Sequence, residues 1–569
     1  MRSVTYFWMR HKVWLSFLVA FSFINTAIGL IFPYILKDVI DGIKVNFARQ
    51  DLVRFVMIIG GIGILRAAFN TLLPFMRGRL NEVFLIDGRN TLFAGILRKG
   101  HSFLGRFPAG DLLQRMDHDL SELSWFACSG VFRPVEGIFT ITIALFFLIK
   151  INPLLTLISA LPISGAAIGW FKISPIMYTQ YHAWREAISE TNNHLQSSFA
   201  GIKLVKSYTI EDQTDGRFMT MLKKRIAAAI RVIRIEALIH ALLSAIEEIG
   251  VILVLLVGGL FIIQGSLTIG EFVAFNAYIL LLLDPMLRIG NFFVSRKRAQ
   301  VQSERIEEIR EFPADVADRG RIKELKHEAI SFDNISFRYA QDGALVLDGI
   351  DIKIEPGKKI GIAGTVASGK TTLLQILMRI AEPTSGRIML DGVDMKEIRL
   401  AELRGLFGYA PQDPSLFSET IHNNISFGRK VDAPLVSSAV KICQLDAFVR
   451  AAPKGLDEMI GERGHRISGG EKQRLAIARA IIGKPRILVL DDATSNLDAD
   501  TERELIRQLA ESKDTTIVII SHRLSVLSIC DYVYVLDKGR VVEQGTHQGL
   551  LRKKNLYWKL YQHQLVEEA

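Results

Sequence analysis

A glycine-rich stretch in the second half of the chain has the residue types and spacing of a phosphate-binding loop. Residues 364–372 (GTVASGKTT) follow a predicted strand, Lys359–Ala363, and precede a predicted helix, Thr371–Ile380. The backbone N–H groups of such a loop, together with the start of the helix, surround phosphate oxygens. Lys370 is placed to reach the β- and γ-phosphates, and the Thr371 hydroxyl to bind Mg²⁺. The predicted nucleotide-binding residues of the loop are Gly364, Thr365, Val366, Ala367, Ser368, Gly369, Lys370, Thr371 and Thr372.

Two further strands end in polar residues that suit the same site. Arg486–Leu490 has the composition of a buried parallel strand and is followed by Asp491 and Asp492. A carboxylate at the tip of such a strand holds Mg²⁺, so Asp491 is a predicted metal ligand. A second strand, Thr516–Ile520, is followed two residues later by His522. A lone histidine after a strand is usually structural, but its place in this series of motifs predicts a phosphate contact.

A third motif lies at the start of a helix. Ile467–Glu471 (ISGGE) precedes a predicted helix, Lys472–Ile482. Serine and glycine at a helix start expose backbone donors to an anion. Within one chain this motif would lie far from the phosphate-binding loop, so we expect it to serve a nucleotide held by a second ATPase domain. The residues predicted to bind that nucleotide in trans are Ser468, Gly469, Gly470 and Glu471.

These motifs and the elements that position them occupy only the second half of the chain. The whole chain has 569 residues, a length that predicts two or more domains. Hydrophobic residues make up 49% of the chain, mean hydropathy is +0.25, and the apolar excess lies mostly before residue 300. The net charge of +10 is not concentrated in an aromatic-lined basic patch, so it indicates basic cytoplasmic loops of a membrane protein and no nucleic-acid partner. The three cysteines form no C-x-x-C pair, which argues against a zinc site or a disulfide framework.

The first half contains apolar runs long enough to cross a bilayer. The six predicted spans are Trp14–Ile35, Val53–Phe75, Val131–Ile149, Leu154–Trp170, Ala237–Ile263 and Glu271–Phe293. A short interfacial helix, Arg2–Lys12, is expected before them. Two long loops are rich in Lys and Arg, which places these loops and both termini in the cytoplasm. Their polar stretches Gly110–Glu122 and Ser207–Asp215 are the predicted turning points of helices that extend beyond the membrane.

Several charged residues fall inside the predicted spans: Arg66, Arg133, Glu136, Glu247, Glu248, Asp284 and Arg288. Ionisable groups at such depth are costly and usually face a partner or a water-filled cavity. Two interpretations remain open, a polar layer that lines a substrate route and ion pairs between helices. Under the first, Glu136, Glu247 and Glu248 would favour cationic or amphipathic substrates.

The order and spacing of these motifs resemble those of half-size ATP-binding-cassette exporters of the multidrug type, and most closely one subunit of bacterial heterodimeric exporters. The resemblance covers nearly the whole chain. It implies a multi-domain fold, with an all-α, six-helix transmembrane domain (1–300), a linker (301–327) and an α/β P-loop ATPase domain (328–569). It also implies that the two predicted turning points are coupling helices that touch the ATPase domain.

The resemblance assigns further roles. It implies that Tyr339 stacks on adenine and that Gln412, in the motif YAPQD, is a catalytic and Mg²⁺-binding residue near the coupling helices. Gly461–Gly464 (GERG) would sense the partner's helices, Asp498 would form the D-loop, and His522 would be the catalytic switch histidine.

Three positions depart from the family pattern. Ala367 stands where the family usually has Gly, and Glu471 where it has Gln. Asp492 occupies the position of the Glu that polarises the attacking water, and its side chain is one methylene shorter. Misplaced general bases commonly lose about 10²–10⁴-fold in rate. The chain's own site is therefore expected to be degenerate, while its signature completes a competent site on a partner.

Three functions remain under consideration. The first is a subunit of a heterodimeric exporter of amphipathic, drug-like or lipid-like molecules in the cytoplasmic membrane. The second is a homodimeric exporter with Asp492 as a slow base. The third is a channel or sensor gated by ATP. The sequence names neither the substrate nor the partner. A neighbouring reading frame that encodes a similar chain, with Glu at the position of Asp492, would favour the first.

Overall fold

The computed structural model describes residues 1–43, 49–323, 329–340, 343–460, 467–511 and 514–568. The chain forms two compact units. The helical unit comprises Met1–Ala94 and Gly110–Glu311, and the α/β unit comprises Gly95–Ala109 and Phe312–Ala569. The predicted order, a helical part followed by an α/β part, is confirmed. The predicted linker, 301–327, begins inside a helix that continues to Glu311, and its residues 324–327 lie outside the described part.

Long helices dominate the helical unit. The helices of the first 311 residues are α1 (Arg2–Arg10), α2 (Lys12–Ile43), α3 (Arg49–Ile96), α4 (His101–Arg106), α5 (Ala109–Gln114), α6 (Leu120–Trp125), α7 (Phe132–Ile151), α8 (Pro153–Ala200), α9 (Ile202–Ser207), α10 (Glu211–Ile263) and α11 (Ile269–Glu311). π-Helical turns, Arg115–Asp119 and Phe126–Gly130, flank α6. Each predicted span lies within a single helix, except that the third begins at Val131, the N-cap of α7.

Length and hydropathy identify which helical stretches could cross a membrane. Within the described part, four qualify: Lys12–Ile43, Val53–Ile96, Ala109–Ile151 and Glu211–Ile263. The remaining two predicted spans fall in α8 and α11, where the apolar stretches are shorter, Pro153–Pro162 and Ile269–Leu282. One apolar core contains residues from both kinds of stretch. Leu30 and Leu148 come from stretches that qualify, Phe275 comes from the shorter stretch in α11, and all three are fully or almost fully buried.

The polar stretch Gly110–Glu122 is not a turn, which corrects the prediction. Its charged residues belong to an ion-pair network instead: Arg115 lies 2.8 Å from both Asp111 and Glu308, and Arg305 lies 2.9 Å from Asp119. Arg115 and Asp119 are buried, so their polarity reflects pairing inside the helical unit rather than solvent exposure. The chain turns earlier, between α3 and α5. The second predicted turning point is confirmed, because α9 ends and α10 begins within Ser207–Asp215.

Residues 95–109 belong to the α/β unit although the helices on either side belong to the other unit. They contain α4, which ends before Pro108 because the residue preceding a proline is disfavoured in helical conformation. The rings of Phe103 and Phe107 lie 5.5 and 5.8 Å from the ring of Phe312. The Ser102 backbone N–H donates to the carboxylate of Asp315 at 2.9 Å. These contacts form an aromatic cluster around Phe312.

Parallel strands organise the α/β unit. The strands are β1 (Ile330–Phe337), β2 (Leu347–Ile354), β3 (Lys359–Gly364), β4 (Ser385–Leu390), β5 (Val393–Asp394), β6 (Phe407–Ala410), β7 (Ile487–Asp491), β8 (Thr516–Ile520), β9 (Tyr532–Asp537) and β10 (Arg540–Gly545). In the described part they form an antiparallel sheet of order β2-β1-β4-β5 and a sheet of order β10-β9-β3-β8-β7-β6. In the second sheet only β10 runs antiparallel to its neighbour. The carboxyl ends of β3, β8, β7 and β6 therefore meet at one edge.

Helices cover both sheets. They are α12 (Lys370–Leu377), α13 (Leu400–Gly405), α14 (Ile421–Ser426), α15 (Ala433–Ile442), α16 (Asp446–Ala451), α17 (Gly469–Ile481), α18 (Ala499–Ala510), α19 (Leu524–Leu527), α20 (His547–Lys553) and α21 (Leu556–Glu568). Strands β7 and β8 are buried along their whole length, as their near-continuous apolar sequences predict.

Candidate functional site

The loop between β3 and α12 curves around a cradle of backbone donors. Gly364 and Gly369 have φ angles of 153° and 98°. A Cβ at Gly364 would lie 2.2 Å from the Leu536 carbonyl oxygen, so only glycine fits there. The Lys370 Nζ donates to the carbonyl oxygens of Gly364 at 3.0 Å and Thr365 at 2.7 Å. The loop thus holds the Lys370 ammonium group against uncharged carbonyl oxygens. The backbone N–H groups of the same loop are suited to binding an anion.

The electrostatics of Lys370 favour an anionic ligand. Burial lowers the pKa of Lys370, while the nearby carboxylates of Asp492 and Asp491 act in the opposite direction. A phosphate beside the ammonium would stabilise its charged form further. The loop residues therefore fit the triphosphate of a nucleotide.

The other predicted loop residues differ in exposure. Thr365 Oγ1 donates to Asp537 at 2.9 Å, and the Val366 side chain is exposed. Ser368 Oγ is buried and without a hydrogen-bond partner in the described part of the chain, which leaves a donor for a ligand. The Tyr339 hydroxyl lies 3.0 Å from Thr372 Oγ1.

Ala367 is the one residue of this loop, glycines apart, in the left-handed region, with φ of 61°. Alanine pays about 1–2 kcal/mol for that conformation, a cost that glycine avoids. The departure from the family glycine therefore puts backbone strain directly in the phosphate-binding loop.

We expect Ala367→Gly to stabilise the α/β unit by up to about 1 kcal/mol, since relief of strain is partly offset by the greater freedom of glycine in the unfolded chain. Ala367→Val should destabilise it by about 1–2 kcal/mol, because a β-branched side chain tolerates positive φ worst. Thermal unfolding of the full chain measures both, with Val366→Ala at a neighbouring exposed position as the control. Equal midpoints for the Gly and Val variants would contradict the strain argument.

Asp491 lies at the end of β7, beside the phosphate-binding loop. The Thr371 hydroxyl donates to its Oδ1 at 3.4 Å, and the Tyr409 hydroxyl to its Oδ2 at 3.3 Å. Burial raises the pKa of Asp491, and these two hydrogen bonds act against the rise. A divalent cation would stabilise this buried carboxylate in its charged form. Thr371 and Asp491 thus fit a Mg²⁺ site.

Asp492 gathers two of the other predicted residues. Its carboxylate accepts a hydrogen bond from Gln412 Nε2 at 3.4 Å and from the backbone N–H of His522 at 3.3 Å. Asp492 is buried, and its φ of 49° places it in the left-handed region. The His522 side chain is exposed. The ends of β7 and β8 and the loop after β6 therefore bring Asp492, Gln412 and His522 together.

The signature residues begin α17. Ser468 is its N-cap and forms a capping box with Glu471, whose carboxylate accepts from the Ser468 backbone N–H at 2.8 Å and from its hydroxyl at 2.7 Å. A Cβ at Gly470 would lie 3.1 Å from the Asn496 carbonyl oxygen, and one at Gly469 3.5 Å from the Asn496 side chain. Gly470 thus permits close packing on the loop that follows β7, whereas a Cβ at Gly469 would make only an ordinary contact.

Two residues that sequence reasoning missed hold the loop Ser495–Asp498. The fully buried Gln473 donates to Ser495 Oγ at 3.0 Å and accepts from the Asn496 N–H at 2.9 Å. Arg523 donates to the carbonyl oxygens of Leu497 at 2.9 Å and Ser495 at 3.2 Å. A polar residue on the buried face of α17 was the available signal for Gln473.

The remaining predicted residues have these places. Asp498 caps α18, and the hydrogen bond from the Thr501 N–H at 2.9 Å lowers the pKa of Asp498. Tyr339 is half exposed and packs edge-on against Phe337, with ring centroids 4.9 Å apart. Gly461–Gly464 lies outside the described residues.

The charged residues of the predicted spans have different environments. Glu136 forms an ion pair with Arg77 and lies 3.8 Å from Arg288, which agrees with the ion-pair interpretation. Glu248 is exposed, and the Arg133 guanidinium lies 5.3 Å from the centre of the Trp125 ring. The side chains of Glu247 and Asp284 lie outside the described residues.

Comparisons with known proteins agree with this architecture. A family model for the ABC transporter transmembrane region matches residues 15–286, and a second model, described as ABC transporter, matches residues 347–495. The probable multidrug resistance ABC transporter ATP-binding/permease protein YheI of Bacillus subtilis is 30% identical over 572 residues, covering 99% of this chain and 96% of that protein. An ATP-dependent lipid A-core flippase of Paraburkholderia xenovorans is 31% identical over 515 residues, covering 90% of this chain and 86% of the flippase.

A solved structure supports the fold. The structure of a bacterial Atm1-family ABC exporter with ATP bound superimposes with a TM-score of 0.83 at 24% identity, covering 97% of this chain and 99% of that one. The chain therefore belongs to the ATP-binding-cassette transporter family, as a half-size exporter in which a helical transmembrane region and an α/β ATPase domain that couples ATP hydrolysis to transport share one polypeptide.

Proposed function

We propose that this chain is one subunit of a heterodimeric exporter and that the ATP site formed by its own phosphate-binding loop hydrolyses slowly. The observation that carries the proposal is the environment of Asp492. Its carboxylate accepts hydrogen bonds from Gln412 and the His522 N–H, and its side chain is one methylene shorter than the family Glu. A carboxylate that is short and already engaged is poorly placed to orient water.

The positions of the site residues support the following roles. Lys370 and the loop amides would bind the phosphates, while Thr371, Asp491 and Gln412 would hold Mg²⁺, which neutralises phosphate charge when bound. Tyr339 would stack on the adenine and His522 would contact the terminal phosphate. The capping box keeps Ser468 and its glycines at a helix start, a geometry suited to a partner's nucleotide.

The proposed location is the cytoplasmic membrane, with the ATPase domain and both termini in the cytoplasm. The basic residues of the two long polar segments support this orientation. The names of the relatives include multidrug and lipid-flippase proteins, which supports an amphipathic, drug-like or lipid-like substrate. The partner is a homologous half-transporter.

Subunit composition tests the heterodimer. Co-expression with a homologous half-transporter from the neighbouring gene should give a 1:1 complex, because each ATP site needs a loop from one chain and a signature from the other. Light scattering and subunit-resolved mass spectrometry of the purified complex measure this. A homodimer of this chain with full drug-stimulated turnover would favour the homodimeric alternative. ATP binding without vectorial transport in sealed vesicles would favour a channel or sensor.

A further inference from the structure

The loop that carries His522 lies between β8 and the short helix α19, and side chains hold its backbone. The His522 N–H donates to Asp492 at 3.3 Å, and the next N–H, that of Arg523, donates to Ser521 Oγ at 3.0 Å. The imidazole of His522 is exposed and forms no hydrogen bond with a described residue. The direction in which this imidazole points therefore depends on how the backbone of the loop is fixed.

The next N–H group, that of Leu524, begins α19 and needs an acceptor outside that helix. The first N–H groups of a helix have no partner within it, and Leu524 is buried, so water does not replace one. Arg523 is the N-cap of α19, and its side chain makes no capping hydrogen bond. The acceptor is Oε1 of Gln564, which lies 2.8 Å from the Leu524 nitrogen and 40 positions later in the chain. Gln564 thus caps α19 from a different helix, α21.

Helix α21 is well anchored within the α/β unit. Tyr557, in its first turn, is fully buried, and the Tyr557 N–H donates to Glu543 at 3.1 Å. Leu560 packs against the apolar cluster that also contains Leu524. Gln564 follows Leu560 by one turn and so lies on the same face of α21. The amide of Gln564 is therefore presented to α19 by a helix whose position is fixed by packing.

We propose that Gln564 is a positioning residue for ATP, because through the Leu524 N–H it fixes the loop that directs His522 towards the terminal phosphate. The inference rests on the proposed function, in which His522 contacts that phosphate. Without an acceptor at this reach, the buried Leu524 N–H is unsatisfied and the start of α19 has to shift to find another partner. ADP lacks the terminal phosphate. Gln564 should therefore contribute to the binding of ATP and not to the binding of ADP.

Competition binding to the full chain in its native assembly tests the proposal. An azido-ATP photolabel is applied on ice with Mg²⁺, ATP and ADP serve as competitors, and labelling is read on this chain alone. Q564M should weaken ATP about three- to tenfold and leave ADP unchanged. A hydrogen bond to a charged group is worth about tenfold or more in affinity, and misalignment of His522 loses part of it.

Further variants separate positioning from stability. Q564E keeps an acceptor at the same reach and should retain the preference for ATP. Q564N carries the same amide on a side chain one methylene shorter and should behave like Q564M, so it provides the test if the apolar variant does not fold. Q562M makes the matched change at an exposed position of α21 and should alter neither affinity. The double variant H522A/Q564M should bind ATP as H522A does, because the cap acts through His522.

The outcomes distinguish this inference from the proposed function. A reduced preference for ATP in H522A but not in Q564M would overturn the role of Gln564 and leave that of His522 standing. Equal weakening of ATP and ADP by Q564M, or a further loss in the double variant, would make Gln564 a structural cap only. An unchanged preference in H522A would count against the phosphate contact assigned to His522, and the positioning role of Gln564 would be rejected with it.

Discussion

Asp492→Glu should raise ATP hydrolysis at this chain's own site by about tenfold or more when the partner's catalytic Glu is replaced by Gln, so that only this site turns over. The extra methylene extends the carboxylate beyond the Gln412 amide and the His522 N–H that now engage it. Reach of the general base is worth about 10²–10⁴-fold in rate when geometry is restored. Phosphate release from the purified complex measures the change.

The complementary variants test the asymmetry of the two sites. Asp492→Asn with an intact partner should cost less than about 1 kcal/mol of barrier, which is under tenfold, whereas Glu→Gln in the partner should remove most turnover. Asp491→Asn is the control, because it removes the predicted Mg²⁺ ligand and should weaken nucleotide binding itself. Equal losses from Asp492→Asn and the partner's Glu→Gln would reveal two equivalent sites. No gain from Asp492→Glu would implicate Ala367 or the partner's signature.

Arg523→Met should destabilise the α/β unit by about 2–3 kcal/mol, equivalent to roughly 5–10 °C in the unfolding midpoint. Glu502 is buried, and in the described part of the chain its Oε1 has no hydrogen-bond partner. Its other carboxylate oxygen, Oε2, accepts a hydrogen bond from the Arg523 guanidinium at 2.9 Å. The figure is at the lower end for a broken buried pair because the Arg523 side chain is itself 35% exposed. Turnover should also fall about tenfold, since the loop Ser495–Asp498 loses two hydrogen bonds.

A second substitution separates stability from loop positioning. Arg523→Met with Glu502→Met should recover most of the stability, because no buried carboxylate remains, but should not recover turnover. Arg507→Gln on α18 is the matched control. Arg507 pairs with Glu504 and lowers the pKa of Glu504 to about 2, yet both are exposed to solvent, which screens the pair, so the midpoint should not move. If the double variant recovered turnover, Arg523 would contribute to stability only and not to positioning of the loop Ser495–Asp498.

Local patterns predicted the strands of the site closely because their apolar runs are short and end in distinctive residues. Strand β8 begins and ends where the composition indicated, and β3 and β7 differ from prediction by a residue or two at their ends. Helix α17 begins earlier than expected because the capping box of Ser468 and Glu471 draws the two glycines into its first turn. These features depend on residues that are close together in the chain, so a single sequence is enough to predict them.

Features that depend on distant residues were missed. The polar residues of Gly110–Glu122 predicted a turning point, because their partners Arg305 and Glu308 lie nearly 200 positions away in the chain. Gln473 and Arg523 looked like ordinary helix and loop residues for the same reason. The orientation of Asp492 towards Gln412 depends on β6 and β7 being adjacent, which the spacing of motifs alone does not reveal.

The aromatic cluster around Phe312 also affects how the protein is made. Phe103 and Phe107 leave the ribosome about 200 residues before Phe312, a delay of roughly 10–40 s at typical synthesis rates. During that interval, α4 has none of its later partners, and its aromatic side chains are available to chaperones or to the membrane surface. An ATPase fragment that begins at residue 328 would lack both α4 and Phe312, so the unit that folds together is discontinuous in the gene.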